Sequence, residues 1–269
     1  FSDRDVGTRA YTLFLSAFDK SDLPVPPAFF KVNRKTVESV EQTALVEKMR
    51  HLREDNPRSH IVITADRGRG KSSAVGRFLS SIATHYRGRT AVTATNSGAT
   101  HEILRFANKT TQPDITFCPL NEILAKPGHF QTICIDEAAQ VPVPILMQIV
   151  EMNADSHFIY STTIGGYEGT GRGFSLRFLD WLRKRSIKLS EFQLTKPIRW
   201  SENDRLEKVM TRCLLLNAAL DEFDSEADLS TAIHVRFDRD KLAARPEQLG
   251  ALFGLLLHAH YRTTPNDLH

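Results

Sequence analysis

Cysteine is scarce in this sequence. The three residues Cys118, Cys134 and Cys213 lie far apart in 269 positions. An odd, dispersed set forms no disulfide framework and no CxxC pair, so a reducing, cytoplasmic setting is expected. Long apolar runs are also missing. The longest candidates, Ile145–Val150 and Leu252–Leu257, fall far short of the ~20 residues that span a bilayer. No membrane association is expected. The first residues carry Asp3, Arg4 and Asp5 where a secretory leader would be apolar. The ten histidines form no HxxxH pair, and His258 and His260 have no third ligand nearby, so no structural metal is expected. Neither internal repeats nor low-complexity tracts occur, and nothing sets an oligomeric state.

Hydrophobic residues make up 41% of the chain, enough for a large buried core. The net charge of +3 permits an acidic partner without requiring one. Near the start, Ala10, Tyr11, Phe14, Leu15 and Phe18 recur at helical spacing, and Pro24, Pro26 and Pro27 then break the pattern. Residues 1–35 therefore read as the remnant of a preceding domain plus a linker.

From residue 36 onward the chain alternates. Helices are expected over Val40–Arg53, Lys71–Ser81, Thr100–Ala107, Pro144–Met152, Phe174–Lys184, Asp204–Leu216 and Glu247–His258. Strands are expected over Ile61–Thr64, Thr90–Thr95, Ile115–Phe117, Thr132–Ile135, Phe158–Ser161, Ile187–Leu194 and Ile233–Phe237. The acidic run Asp221–Asp228 reads as a solvated loop. Continuous apolar strands alternating with helices predict an α/β fold with a mostly parallel sheet and helices on both faces.

One loop in that pattern carries specific chemistry. Ala65-Asp66-Arg67-Gly68-Arg69-Gly70-Lys71-Ser72 follows a strand and opens a helix. It matches G-x-x-x-x-G-K-[ST] except that Ala65 replaces the first glycine. Gly68 and Gly70 let backbone N–H groups curl around phosphate oxygens, and the helix N-terminus adds positive potential. Lys71 is expected on the β- and γ-phosphates, with the Ser72 hydroxyl on Mg²⁺. The strand Thr132–Ile135 then ends in Asp136-Glu137. Asp136 is the expected Mg²⁺-shell carboxylate and Glu137 the general base for water. Both motifs fall at carboxyl ends of strands, where open α/β sheets bind ligands.

Other features carry two readings each. Ser161-Thr162-Thr163 ends a strand, either to sense a γ-phosphate or as ordinary strand-end hydroxyls. Gln42 reads an adenine edge or is a surface glutamine. Arg172 and Arg199 meet phosphate or base, or are surface arginines. The cluster Arg183, Lys184, Arg185 and Lys188 beside Trp181, with Lys31, Arg34 and Lys35 after Phe29-Phe30, suits RNA phosphates or is a solvated helix face. Gly169-x-Gly171-x-Gly173 lacks dinucleotide spacing and reads as a flexible loop.

These residues resemble the central RecA-like, helicase-type P-loop ATPase module of the tRNA(Met) cytidine acetyltransferases. The likeness lies in Ala65 through Ser72 with Ser73, and in Ile135-Asp136-Glu137-Ala138-Ala139. It continues in Thr163-Ile164-Gly165-Gly166-Tyr167-Glu168-Gly169-Thr170-Gly171-Arg172-Gly173-Phe174, in Pro197-Ile198-Arg199-Trp200, and in His260 through Leu268. The resemblance implies that the parent enzyme uses ATP and acetyl-CoA to form N4-acetylcytidine at the wobble base of elongator tRNA(Met). It implies nucleotide contacts from Gln42 and Arg199 beside the P-loop, and an acetyltransferase domain after it. The sequence reaches His269 without an acetyl-CoA motif, so residues 36–269 are expected to be the ATPase module. Arg172 is the candidate for charge stabilisation in the transition state. Two rivals stand: an ATP-sensing scaffold that does not hydrolyse, and a fragment of another nucleic-acid-dependent ATPase.

Overall fold

The computed structural model describes residues 39–83, 88–107, 114–163, 174–185, 187–216, 218, 230, 233–238, 241–242 and 244–259. Arg172, the glycine-rich block around it, residues 1–35, the acidic run and His260 through Leu268 lie outside the described residues. The described residues divide into two compact units, one running through Glu202 and the other from Asn203 onward.

The first unit holds a six-stranded sheet. Its strands are β1 (His60–Ala65), β2 (Thr90–Thr93), β3 (Ile115–Phe117), β4 (Thr132–Ile135), β5 (His157–Thr163) and β6 (Leu189–Leu194). The spatial order is β3-β2-β4-β5-β1-β6, and all five pairings are parallel. β2, β4 and β5 are buried at every position; the sequences of β2 and β4 are accordingly unbroken runs of apolar or β-branched residues. Pleating sends alternate residues to opposite faces. Val62, Ile133, Ile135, Phe158 and Tyr160 share one core. Ile61, Ile63, Val92, Cys134 and Ile159 share the other.

Helices cover both cores. α1 (Val40–Asp55), α2 (Lys71–Ala83) and α3 (His101–Ala107) press Leu45, Met49, Val75, Phe78 and Ile103 onto the second core. α4 (Leu120–Ala125), α5 (Val143–Met152) and α6 (Asp180–Lys184) cover the first with Ile123, Leu146, Ile149 and Leu182. Phe78, Phe158 and Phe178 are fully buried. Burial of each such side chain contributes about 1.5–3 kcal/mol. α1 starts with a capping box: Ser39 Oγ accepts from the Gln42 amide, and the Gln42 side chain accepts from Ser39 N–H.

Several expected boundaries shift. β5 gains Thr162 and Thr163, continued by the ladder with β1, and His157, paired with β4; the polar side chains of these residues hide the strand. β2 stops at Thr93, because Asn96 caps the short turn that follows. The expected helix Phe174–Lys184 begins as a wider π-turn over Phe174–Leu179 before α6. The short α4 carries no readable periodicity. Segment Ile233–Phe237, expected as a strand, is irregular; Ile233 and Val235 are exposed and join no ladder among the described residues. Its alternation satisfies the strand pattern, but a strand needs a partner edge.

The second unit contains α7 (Arg205–Cys213) and α8 (Pro246–Ala259), with Leu215, Leu249 and Phe253 in a small core. Asp204 caps α7 through the Glu207 amide.

Candidate functional site

β1 ends at Ala65 and α2 begins at Lys71, so the intervening turn sits at the carboxyl edge of the sheet. Two glycines give it its curl. Gly68 has φ +80° and Gly70 φ +79°, a region that side chains rarely adopt. A Cβ on Gly70 would also lie 2.1 Å from Gln42 Nε2 and 2.5 Å from Ile198 Cδ1. The Gly70 carbonyl accepts from Ala74 N–H at 3.0 Å, Ser73 Oγ at 2.8 Å and Gln42 Nε2 at 2.8 Å. The first-turn amides of α2 have no intrahelical acceptor by construction and face the anion-binding end of the helix.

Lys71 is 7% exposed. Its Nζ donates to Glu137 Oε1 at 3.1 Å and to Thr163 Oγ1 at 3.0 Å. Thr163 Oγ1 lies 3.2 Å from each Glu137 carboxylate oxygen. Glu137 itself sits in the left-handed region, φ 47° and ψ 47°. That kink turns its side chain back toward the P-loop, immediately after Asp136. Asp136 is 2% exposed. Its Oδ1 accepts from the Ser161 hydroxyl and from Glu137 N–H, while its own N–H donates to Thr93 O at 2.8 Å. Burial pushes the Asp136 carboxyl above its ordinary pKa; the Ser161 hydroxyl and the nearby Lys71 charge pull it back.

The structure therefore brings together Lys71, Asp136, Glu137, Ser161 and Thr163, supplied from the ends of three neighbouring strands. Asp66, Arg67 and Arg199 are exposed, and Ser72 is half-buried. Ser73 is buried with its hydroxyl bonded to the loop carbonyl. Gln42 is 1% exposed, and its amide donates to Gly70 O and Ser73 Oγ. In this structure that amide fastens α1 to the P-loop, so Gln42 is not the surface glutamine of the alternative reading.

The resemblance marks Pro197 through Trp200, but the packing of this segment on the loop as an outer wall is not legible in the sequence. Ile198 N–H donates to Gly68 O at 3.0 Å, and the Trp200 ring lies against Gly68. Glu41 accepts from Thr195 N–H, Thr195 Oγ1 and Lys196 N–H, tying α1 to the same segment. Those backbone and side-chain bonds hold the Glu41 carboxyl below its ordinary pKa against its partial burial. No local pattern announces this wall; it follows from β6 pairing beside β1.

Three cations of the basic cluster are paired with acidic neighbours. Arg183 bonds Glu191, Lys184 pairs with Asp180 at 2.7 Å, and Arg185 pairs with Glu151 at 2.7 Å while stacking over Trp181.

Among the described residues no group of three or more His, Cys, Asp or Glu side chains is placed to cage a metal. Mg²⁺ asks for less: one or two carboxylates plus substrate phosphates and water. The buried Asp136 carboxylate fits that requirement.

Comparison with known proteins agrees with this architecture. The chain is 31% identical to the tRNA(Met) cytidine acetyltransferase TmcA of Vibrio cholerae serotype O1, over 91% of this chain and 37% of that protein. It is 36% identical to TmcA of Idiomarina loihiensis over 77% of this chain and 32% of the relative. The chain thus spans about a third of the length of these curated relatives. Its fold is similar to the large terminase of a thermophilic bacteriophage. The TM-score is 0.50 at 12% identity, covering 65% of this chain and 50% of that one. The fold is RecA-like. Residues 62–217 match the family described as RNA cytidine acetyltransferase NAT10/TcmA, helicase domain. With that match spanning more than half its length, the chain belongs to the NAT10/TcmA RNA cytidine acetyltransferase helicase-domain family.

Proposed function

We propose that residues 36–269 form a module that binds MgATP and hydrolyses it, and that it handles tRNA(Met) within a cytidine acetyltransferase. The observation that carries this reading is the P-loop lysine, buried and held at once by Glu137 and Thr163 beside the left-handed glycine turn. A lysine stored in that position is poised to exchange a carboxylate for a phosphate oxygen.

In this reading the loop amides and Lys71 bind the β- and γ-phosphates. Ala65, Asp66, Arg67, Arg69 and Ser73 supply the backbone of the cradle. Ser72 and Asp136 hold Mg²⁺, which when bound polarises the phosphate oxygens. Glu137 takes a proton from water as that water attacks the γ-phosphorus, and the bond to the β–γ bridging oxygen breaks. Thr163 fixes the Glu137 carboxylate while Lys71 is engaged with nucleotide. Arg199 and Arg172 are the candidates for additional charge on the nucleotide and transition state. Acetyl-CoA belongs to the full-length parent. The relatives named above support tRNA as the substrate, and a cytoplasmic site is part of the proposal.

The test is MgATP hydrolysis with and without elongator tRNA(Met), with Glu137→Gln as control. Expected is turnover that tRNA stimulates and the substitution abolishes. Tight ATP binding without turnover would instead make the module a gating scaffold.

A further inference from the structure

Ile198 and Trp200 in the outer wall of the P-loop have no role in the chemistry above, yet they touch the loop at both glycines. Ile198 N–H bonds the Gly68 carbonyl at 3.0 Å. The benzo edge of Trp200 packs so tightly on Gly68 that a Cβ there would lie 2.2 Å from Cη2, 2.7 Å from Cζ2 and 2.8 Å from Cζ3. The guanidinium carbon of Arg69, the residue between the glycines, sits 5.8 Å from the Trp200 ring centroid. Ile198 Cδ1 and Gln42 Nε2 close on Gly70 in the same way. Glu41 then staples the start of this segment to α1 through Thr195 and Lys196.

A glycine-rich turn at positive φ gains its ordering at a larger entropic cost than any other backbone segment. Unless something orders it in advance, the ligand must do so on binding, and affinity falls accordingly. The contacts at Gly68 and Gly70 come from two elements that are joined to each other, so the turn is gripped from both sides.

We propose that Trp200 is a positioning residue: with Ile198 and Gln42 it clamps the P-loop in its phosphate-binding curl before nucleotide arrives. The clamp acts through the loop and therefore on the phosphate chain, whatever base is attached. This inference rests on the nucleotide-binding reading of the site.

The experiment measures binding of MgATP and of magnesium tripolyphosphate, which has no base, to this chain and to Trp200→Ala, with thermal unfolding as the folding control. Trp200→Phe is the second variant; its shorter ring retracts from Gly68 while keeping an aromatic surface, and it reads the same quantity if the alanine variant fails to fold. Expected is a loss of about tenfold or more for Trp200→Ala, by the same factor for both ligands, with a smaller parallel loss for Trp200→Phe. KM for ATP rises while kcat is held, as for a contact that serves ground and transition states alike. Weakening of MgATP alone would make Trp200 a base-stacking platform and overturn the clamp. Unchanged binding of both ligands would also overturn it. A parent chain that binds neither ligand would overturn the nucleotide reading itself, and the clamp with it.

Discussion

Glu137→Gln separates two jobs that the structure gives to one carboxylate. In the resting site Glu137 Oε1 is 3.1 Å from Lys71 Nζ, with side-chain exposures of 25% and 8%. To engage phosphate, Lys71 must give up that partner. At an effective dielectric near 20, the gross attraction at this distance is about 5 kcal/mol. Desolvation of two largely buried charges offsets most of it, leaving about 1–2 kcal/mol. Glutamine preserves the shape and an acceptor for Thr163 but removes the charge. MgATP should therefore bind the variant about 5- to 30-fold more tightly, since each 1.4 kcal/mol is tenfold. Loss of the general base should lower turnover by about 10²- to 10⁴-fold. Calorimetric titration with MgATP and a phosphate-release assay measure the two quantities on one preparation. Unchanged or weaker binding would refute the idea that the Lys71–Glu137 pair restrains the resting site. Full turnover would remove Glu137 from its assigned role.

Gly70→Ala places a side chain at φ +79° against Gln42 and Ile198, so nucleotide affinity should collapse and stability should fall by about 1–3 kcal/mol, read by denaturant titration. Acid should destabilise the fold well before the carboxylates titrate. Burial lowers the pKa of His60 to about 4 and of His157 to about 3, from 6.5. Their folded pKa values are depressed, so below pH 6.5 the unfolded chain takes up protons that the folded chain refuses. At pH 5 the two together remove about 4 kcal/mol of stability present at pH 7.5. Unfolding free energies that stay flat between those pH values would refute this.

The sheet is legible in the sequence because its central strands are buried on both faces and read as unbroken apolar runs, as Thr132–Ile135 does. The P-loop and Asp136-Glu137 are legible for a related reason: a strand followed at once by glycines and a lysine, or by two carboxylates, is a local signal. What escapes is long-range. β6 reads as an ordinary alternating strand, and nothing local says that it lies beside β1 and delivers Ile198 and Trp200 to the glycine turn. Ile233–Phe237 shows the converse, a faultless local alternation with no ladder among the described residues. Gln42 stands out in the sequence as a residue beside the P-loop, but its bonds depend on where α1 docks, which no pattern within α1 encodes.

These long-range placements change what the motif means. A P-loop read from sequence is a passive cradle that waits for phosphate. In the folded chain its lysine is already bonded to Glu137 and Thr163, and the neighbouring Asp136 is already bonded by Ser161. Its glycines are already pressed into position from outside. The loop shape is thus prepaid by packing while the charges are paired internally, and these features act in opposite directions on affinity. A preordered loop strengthens binding of any phosphate chain, whereas the Lys71–Glu137 pair weakens it until the carboxylate is released to water. Combining Trp200→Ala with Glu137→Gln should then return MgATP affinity toward that of the parent, because the two changes shift affinity in opposite directions.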